Sequence, residues 1–149
     1  MDLQKKNNGF VSCFVLALGL TVLMIAMGSA RLAQDQLKEA EAYCDTVTAA
    51  YYAENLLHLY WDEMSAQPCR AMPLSEKKDG RKFYPSAPTA ADLEVHCVTG
   101  VHNSTFEGTA QASCTMKLSG MTRTCSIRFQ VRPGEGDAGD QIVITRISY

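Results

Sequence analysis

The chain has 149 residues, 46% of them hydrophobic, and its 14 basic and 16 acidic residues give a net charge of −2. A length of this order suits one small domain. The near-neutral charge, without a long basic block, argues against a nucleic-acid surface, so no nucleic-acid partner is predicted.

Residues 1–9 form a short polar leader that carries Lys5 and Lys6 and ends at Gly9. An uncharged apolar segment, residues 10–30, follows directly. As a helix, these 21 residues would be about 31 Å long, close to the hydrocarbon thickness of a bilayer. The two lysines favour a cytoplasmic N-terminus. The sequence therefore predicts a single-pass cell-membrane protein whose C-terminal part is extracytoplasmic.

The helical pattern continues from Arg31, with no Gly or Pro between Ser29 and Met64. Apolar or small residues recur there in steps of three and four, which predicts a helix packed on one side. They are Ala33, Leu37, Ala40, Cys44, Val47, Ala50, Ala53, Leu57, Tyr60 and Met64. The transmembrane segment and an amphipathic continuation over residues 31–66 are thus predicted to form one helix, which ends before Pro68.

Residues 67–92 contain four of the five prolines and are predicted to be a connecting loop. The segment is longer than a usual loop, so a short strand within it or a role as a contact surface is left open. Residues 93–149 show the two-residue alternation that is typical of an antiparallel sheet with one packed face. Turns are predicted at Ser119 and Gly120 and over the acidic segment 133–140. The predicted fold class is α+β, with one long N-terminal helix packed on a four-stranded antiparallel sheet.

The N-terminal organisation resembles that of type IV pilin-like precursors, the pilins and pseudopilins. The shared features are a short basic leader ending in Gly9, then Phe10, then an apolar helix that runs into an amphipathic one. The segment 51–57, YYAENLL, is similar to a Tyr-Ala-Ala-Glu-like patch in some minor pilins. The resemblance covers residues 5 to about 64. It implies that a prepilin peptidase cuts between Gly9 and Phe10, that the new N-terminus is methylated, and that the helix assembles with other pilin-like subunits.

One position departs from the family pattern. The family usually has Glu at the fifth mature position, and Phe14 stands there in this chain. The family Glu is thought to meet the N-terminal amine of a neighbouring subunit, because a carboxylate in hydrocarbon is costly unless it is paired. Phe14 therefore favours a minor subunit at a filament tip, where one side of the interface is empty. The alternative is that Phe14 faces lipid and carries no information about position.

The expected function is structural, and no enzyme is expected. The chain would prime or cap the filament of a type IV pilus, a type II secretion system or a DNA-uptake system, and would reach the cell surface there. The alternative is a single-span, membrane-anchored extracytoplasmic binding domain that does not polymerise. A cleaved signal peptide is less favoured, because the apolar segment exceeds the usual length. The histidines His58, His96 and His102 lie near no nucleophile or carboxylate at motif spacing.

Five of the six cysteines lie in the predicted exterior, where disulfides are expected. A hairpin centred on Ser119 and Gly120 would place Cys114 directly opposite Cys125, at a separation that a disulfide can bridge. We therefore predict this crosslink, with two stacked hydrophobic side chains as the alternative. The natural partners left for Cys97 are Cys44 and Cys69.

No cofactor is predicted from a motif, but the acidic turn raises one hypothesis. Glu135, Asp137 and Asp140, together with backbone carbonyls, could offer oxygen ligands to Ca²⁺. The spacing of the three residues matches no fixed calcium motif. A soluble hairpin loop is therefore the preferred interpretation, and calcium binding is the alternative.

Overall fold

The computed structural model describes residues 3–66, 75–86, 88–102, 105–132 and 141–149, without the side chains of residues 3–8 and 102. The chain divides into two compact units, Met1–Glu41 and Ala42–Tyr149. The described residues of the first unit are helical, and the second unit contains the end of that helix and a sheet.

Helix α1 runs from Leu3 to Ser65, as predicted for one helix that joins the apolar segment to the amphipathic one. All side chains of residues 9–41 are exposed. Within the described part of the chain, α1 is the one helix that is long and apolar enough to cross a membrane. A helix can cross because it satisfies its own backbone donors and acceptors, which lipid cannot do.

In the second unit, α1 buries one stripe against the sheet. The buried residues begin at Ala49 and follow steps of one, three or four: Ala49, Ala53, Leu56, Leu57, Tyr60 and Met64. The predicted stripe agrees from Ala53 onward, but it omitted Leu56, which is fully buried, and it included Val47, which is 49% exposed. The buried stripe is therefore shorter than the sequence pattern.

Among the described residues the sheet has five strands, whereas four were predicted. They form an antiparallel meander in chain order: β1 Ser75–Asp79, β2 Ala91–His102, β3 Thr105–Met116, β4 Thr122–Arg132 and β5 Gln141–Ser148. The additional strand, β1, lies inside the segment that was predicted to be a loop. Its sequence, SEKKD, lacks apolar alternation because β1 is a short edge strand with only exposed and half-buried side chains.

The face of the sheet toward α1 forms the core. The buried apolar side chains of β3 are small, and most of those on β2 and β4 are larger. The buried set on the strands is Ala91, Leu93, Val95, Cys97, Thr99, Ala110, Ala112, Cys114, Cys125, Ile127, Phe129 and Val131. The opposite face carries the polar alternates of the same strands. This arrangement is the one-sided packing that the sequence alternation indicated.

The β3–β4 turn differs from the predicted one. The Met116 N–H donates to the Met121 carbonyl at 2.9 Å, so four residues, 117–120, make the turn. Gly120 has a φ of +67°, a left-handed conformation that glycine adopts without steric cost. The centre of the turn therefore lies one residue earlier than predicted, and the register shifts by two: Cys114 faces Arg123.

Candidate functional site

The predicted processing site, the bond between Gly9 and Phe10, lies within helix α1. Gly9 and Phe10 are both exposed and helical, and Phe10 is 75% exposed. A Cβ at Gly9 would contact nothing within 4 Å. Among the side chains that the structure describes, none therefore covers the Gly9–Phe10 peptide bond.

Phe14 lies one helical turn beyond Phe10, on the same side of α1. Its side chain is 57% exposed. The next charged residue along the chain is Arg31, so this turn offers a mainly apolar contact surface and no carboxylate to pair with an amine.

The predicted crosslink loses its geometric basis. Ala112 faces Cys125 and Cys114 faces Arg123, so the two cysteines are diagonal neighbours on one face and not the directly opposite pair that was predicted. Diagonal Cα atoms are about 7–8 Å apart, beyond the usual disulfide range. Both are buried free thiols, and burial raises the pKa of each. They pack as small hydrophobic side chains.

Cys97 is also a buried free thiol. Its Sγ atom lies 3.9 Å from the Sδ of Met64. Cys44 is exposed and lies 20 residues earlier on α1 than Met64, which is about 30 Å along a helix. A Cys97–Cys44 bond is therefore ruled out in this fold, and the other predicted partner, Cys69, lies outside the described residues.

The three predicted calcium ligands, Glu135, Asp137 and Asp140, also lie outside the described residues, so calcium binding stays a hypothesis. In the parts of the chain that the structure describes, no group of three His, Cys, Asp or Glu residues could hold a metal ion. His58 on α1 and His96 on the polar face of β2 are exposed and lie on different elements.

Sequence reasoning missed a half-buried cation that links β1 to α1. The Lys78 Nζ lies 3.1 Å from a carboxylate oxygen of Glu76 and 3.8 Å from one of Glu63. The same Nζ lies 5.7 Å from the ring centroids of Tyr60 and Phe83. Burial, followed by the hydrogen bond with Cys97, raises the pKa of the Tyr60 hydroxyl. The sequence pattern had included Lys78 in the connecting loop predicted over residues 67–92.

A polar cleft of ≈ 540 Å³ lies at the β1 edge of the sheet. Its charges are matched: Lys77 contacts Glu94 at 2.8 Å, and Lys117 contacts Asp92 at 3.1 Å. Arg81 donates to the Ala91 carbonyl at 3.0 Å and lies 3.9 Å from Asp92. These ion pairs hold the strand ends together and leave little unpaired charge for a ligand.

The opposite edge, β5, has a different character. Ile144 and Ile147 are 41% and 48% exposed on the face toward α1. With Leu57 and Trp61 they line a small apolar cleft of ≈ 60 Å³.

The other face of the same strand carries charge. Arg146 lies directly opposite Arg128 of β4, and both side chains are exposed. The sequence pattern marked this strand as the last of the sheet but gave no sign that two arginines would meet.

A comparison of the chain with protein-family models, curated proteins and solved structures finds no match. The class that the geometry defines is an α+β protein with one N-terminal helix that is long and apolar enough to span a membrane.

Proposed function

We propose that the chain is a minor pilin-like or pseudopilin subunit, held in the membrane by residues 10–30 until it joins a filament. Through the same helix it contacts other pilin-like subunits, and it primes or caps the filament. The observation that carries the proposal is the continuity of α1, which passes from a fully exposed apolar segment to a stripe buried on the sheet without a break.

A second apolar stripe on α1 supports assembly over simple anchoring. Tyr43, Val47 and Tyr51 follow steps of four and are 69%, 49% and 62% exposed. At 100° per residue they lie about 120° around the helix from the centre of the buried stripe. A contiguous exposed apolar surface of this kind is typical of an interaction site. An anchored domain that stays alone leaves it uncovered, whereas a packed neighbouring helix covers it.

The mature N-terminus tests the proposal. The full chain is produced in bacterial membranes together with a prepilin peptidase, and its intact mass and N-terminal sequence are determined. We expect a chain that begins at Phe10 and carries one added methyl group. The Gly9→Val variant should keep its leader, because a side chain then stands at the cleavage point.

The matched control is Gly19→Val, which makes the same change where a Cβ also meets nothing within 4 Å and should be processed normally. A wild-type chain that keeps Met1 contradicts the proposal and supports the anchored binding domain. A chain that begins at Arg31 contradicts it in favour of a secreted protein.

A further inference from the structure

We infer that the outer edge of β5, with which no described strand pairs, binds an extended segment of another protein in which acidic and aliphatic residues alternate. The segment would add a strand to the sheet, with its carboxylates on the face of Arg128 and Arg146 and its aliphatic side chains on the face of Ile144 and Ile147. This surface lies on the second unit and does not depend on the fate of the N-terminal helix.

The two edges of the sheet differ in a way that favours β5. An exposed strand edge is a template for pairing, and proteins protect such edges with short strands and charged side chains, lysine above all. Strand β1 has five residues, among them Lys77 and Lys78. Strand β5 has eight residues, QIVITRIS, and a single charge, Arg146. Edge protection is therefore present at β1 and weak at β5.

On the polar face of β5, a carboxylate from an added strand would offset the positive charge of two arginines. Like charges directly opposite each other across two strands are destabilising, and Arg128 and Arg146 form such a pair. Among the described residues, neither guanidinium has a carboxylate within ion-pair distance. A carboxylate placed on the next strand, beside Arg146, would reduce the repulsion and gain a charge-assisted hydrogen bond.

The face of β5 toward α1 is apolar and would accommodate aliphatic side chains of an added strand. Ile144 and Ile147 extend the apolar surface of the sheet beyond the part that α1 covers. The cleft that they form with Leu57 and Trp61 has room for a small apolar side chain. Because successive residues of a strand point to opposite faces, a segment that alternates acidic and aliphatic residues satisfies both faces at once. Main-chain hydrogen bonds to the strand edge would supply affinity.

A second copy of this chain fits the same edge poorly. Pairing of two β5 strands would bring together two strands whose only charge is Arg146, with no carboxylate to offset it. A register irregularity between Arg128 and Phe129 leaves Thr145 unpaired in the ladder. This irregularity limits a second copy and any other added segment alike, so it is the charge of Arg146 that disfavours a second copy. The favoured occupant is therefore an acidic segment from a different protein.

The test uses the full chain in non-ionic detergent micelles and two fluorescein-labelled, end-capped octapeptides. One alternates Val with Glu, and the other alternates Val with Lys. Fluorescence anisotropy at low ionic strength should show saturable binding of the Val-Glu peptide that weakens as salt is added. The Val-Lys peptide should bind at least tenfold more weakly. A Val-Glu peptide in which every main-chain nitrogen is methylated should also bind weakly, because it cannot donate main-chain hydrogen bonds.

Charge reversal locates the site. Arg146→Glu should weaken binding of the Val-Glu peptide by on the order of tenfold. Lys82→Glu makes the same charge change at the other end of the sheet, where Lys82 is exposed, and should leave the affinity unchanged. The double variant Arg128→Glu, Arg146→Glu should bind the Val-Lys peptide instead.

The inference is overturned if Lys82→Glu weakens binding as much as Arg146→Glu does, or if the wild-type chain binds neither peptide. Sedimentation equilibrium gives a further outcome. A wild-type dimer that Arg146→Glu dissociates would assign the β5 edge to a second copy of this chain and would also overturn the inference.

Discussion

Gly108 and Phe129 are cross-strand partners on β3 and β4, and their pairing shapes the centre of the core. The Phe129 ring is 1% exposed and lies over Gly108. A Cβ at position 108 would come within 2.8 Å of the ring's Cε atoms. Because Gly108 has no side chain, the Phe129 ring can lie across β3. There it contacts Trp61 of α1 in an edge-to-face arrangement, with the two ring centroids 5.8 Å apart.

We predict that Gly108→Ala lowers the free energy of unfolding of the second unit by about 1–3 kcal/mol, because the buried ring has little room to move. Urea denaturation of the full chain in micelles, followed by the fluorescence of Trp61, measures the change. The control is Gly100→Ala on β2, where a Cβ meets nothing within 4 Å, and a change within about 0.5 kcal/mol is expected there. Equal destabilisation by both variants would show that the ring contact is not the cause.

At the scale of the element, the register of the β3–β4 hairpin decides which residue lies close enough to Cys114 to form a disulfide with it. Because the turn spans residues 117–120, Cys114 lies opposite Arg123. Directly opposite Cα atoms are about 4.5–5.5 Å apart in either kind of antiparallel pair, which a disulfide can bridge. The diagonal partner, Cys125, is further away.

Arg123→Cys should therefore form a disulfide with Cys114 on mild oxidation, as peptide mapping without reductant would show. In the wild-type chain, Cys114 and Cys125 should both be recovered in alkylated form after unfolding. Thr124→Cys is the matched control, since its side chain points to the polar face and should leave Cys114 unlinked. Recovery of a Cys114–Cys125 peptide from the wild-type chain would contradict the observed register.

The elements differ in how far the sequence could predict them. The two-residue alternation in β3 and β4 indicates which side chains are buried, and the absence of Gly and Pro between Ser29 and Met64 indicates a helix, so both were predicted. Strand β1 could not be located in advance, because its inward side chain, Lys78, is stabilised by aromatic rings and the Glu63 carboxylate from other parts of the chain, together with Glu76 of β1 itself. The hairpin register was missed because it depends on the left-handed conformation of Gly120, which a residue count does not reveal.

The residues of the candidate surfaces also differ in whether the sequence alone could predict them. Gly9, Phe10 and Phe14 could be named in advance because a local pattern of leader and apolar helix marks them. The pair Arg128 and Arg146 could not, since 18 positions separate the two residues and only strand pairing brings them together. Local patterns are visible in the sequence, whereas surfaces made by register require the folded sheet.

At the scale of the whole molecule, the proposed function depends on what covers the exposed apolar length of α1. According to the proposal, lipid would cover residues 10–30 before assembly, and neighbouring helices would cover them afterwards, together with the stripe of Tyr43, Val47 and Tyr51. Phe14 adds a constraint on position, because it avoids the cost of a carboxylate in hydrocarbon but cannot pair with a neighbour's amine. A subunit of this kind suits a filament tip and suits a repeated shaft position poorly.

The most direct test is the composition of surface filaments sheared from cells that produce the chain at its natural level. Quantitative mass spectrometry of the purified filaments should find this chain, beginning at Phe10, in trace amounts beside a major subunit that has Glu at its fifth mature position. If the chain remains entirely in the membrane fraction while filaments are recovered, the proposed assembly is wrong and the anchored binding domain is favoured. If the chain is the bulk component of the filaments, the argument from Phe14 is wrong.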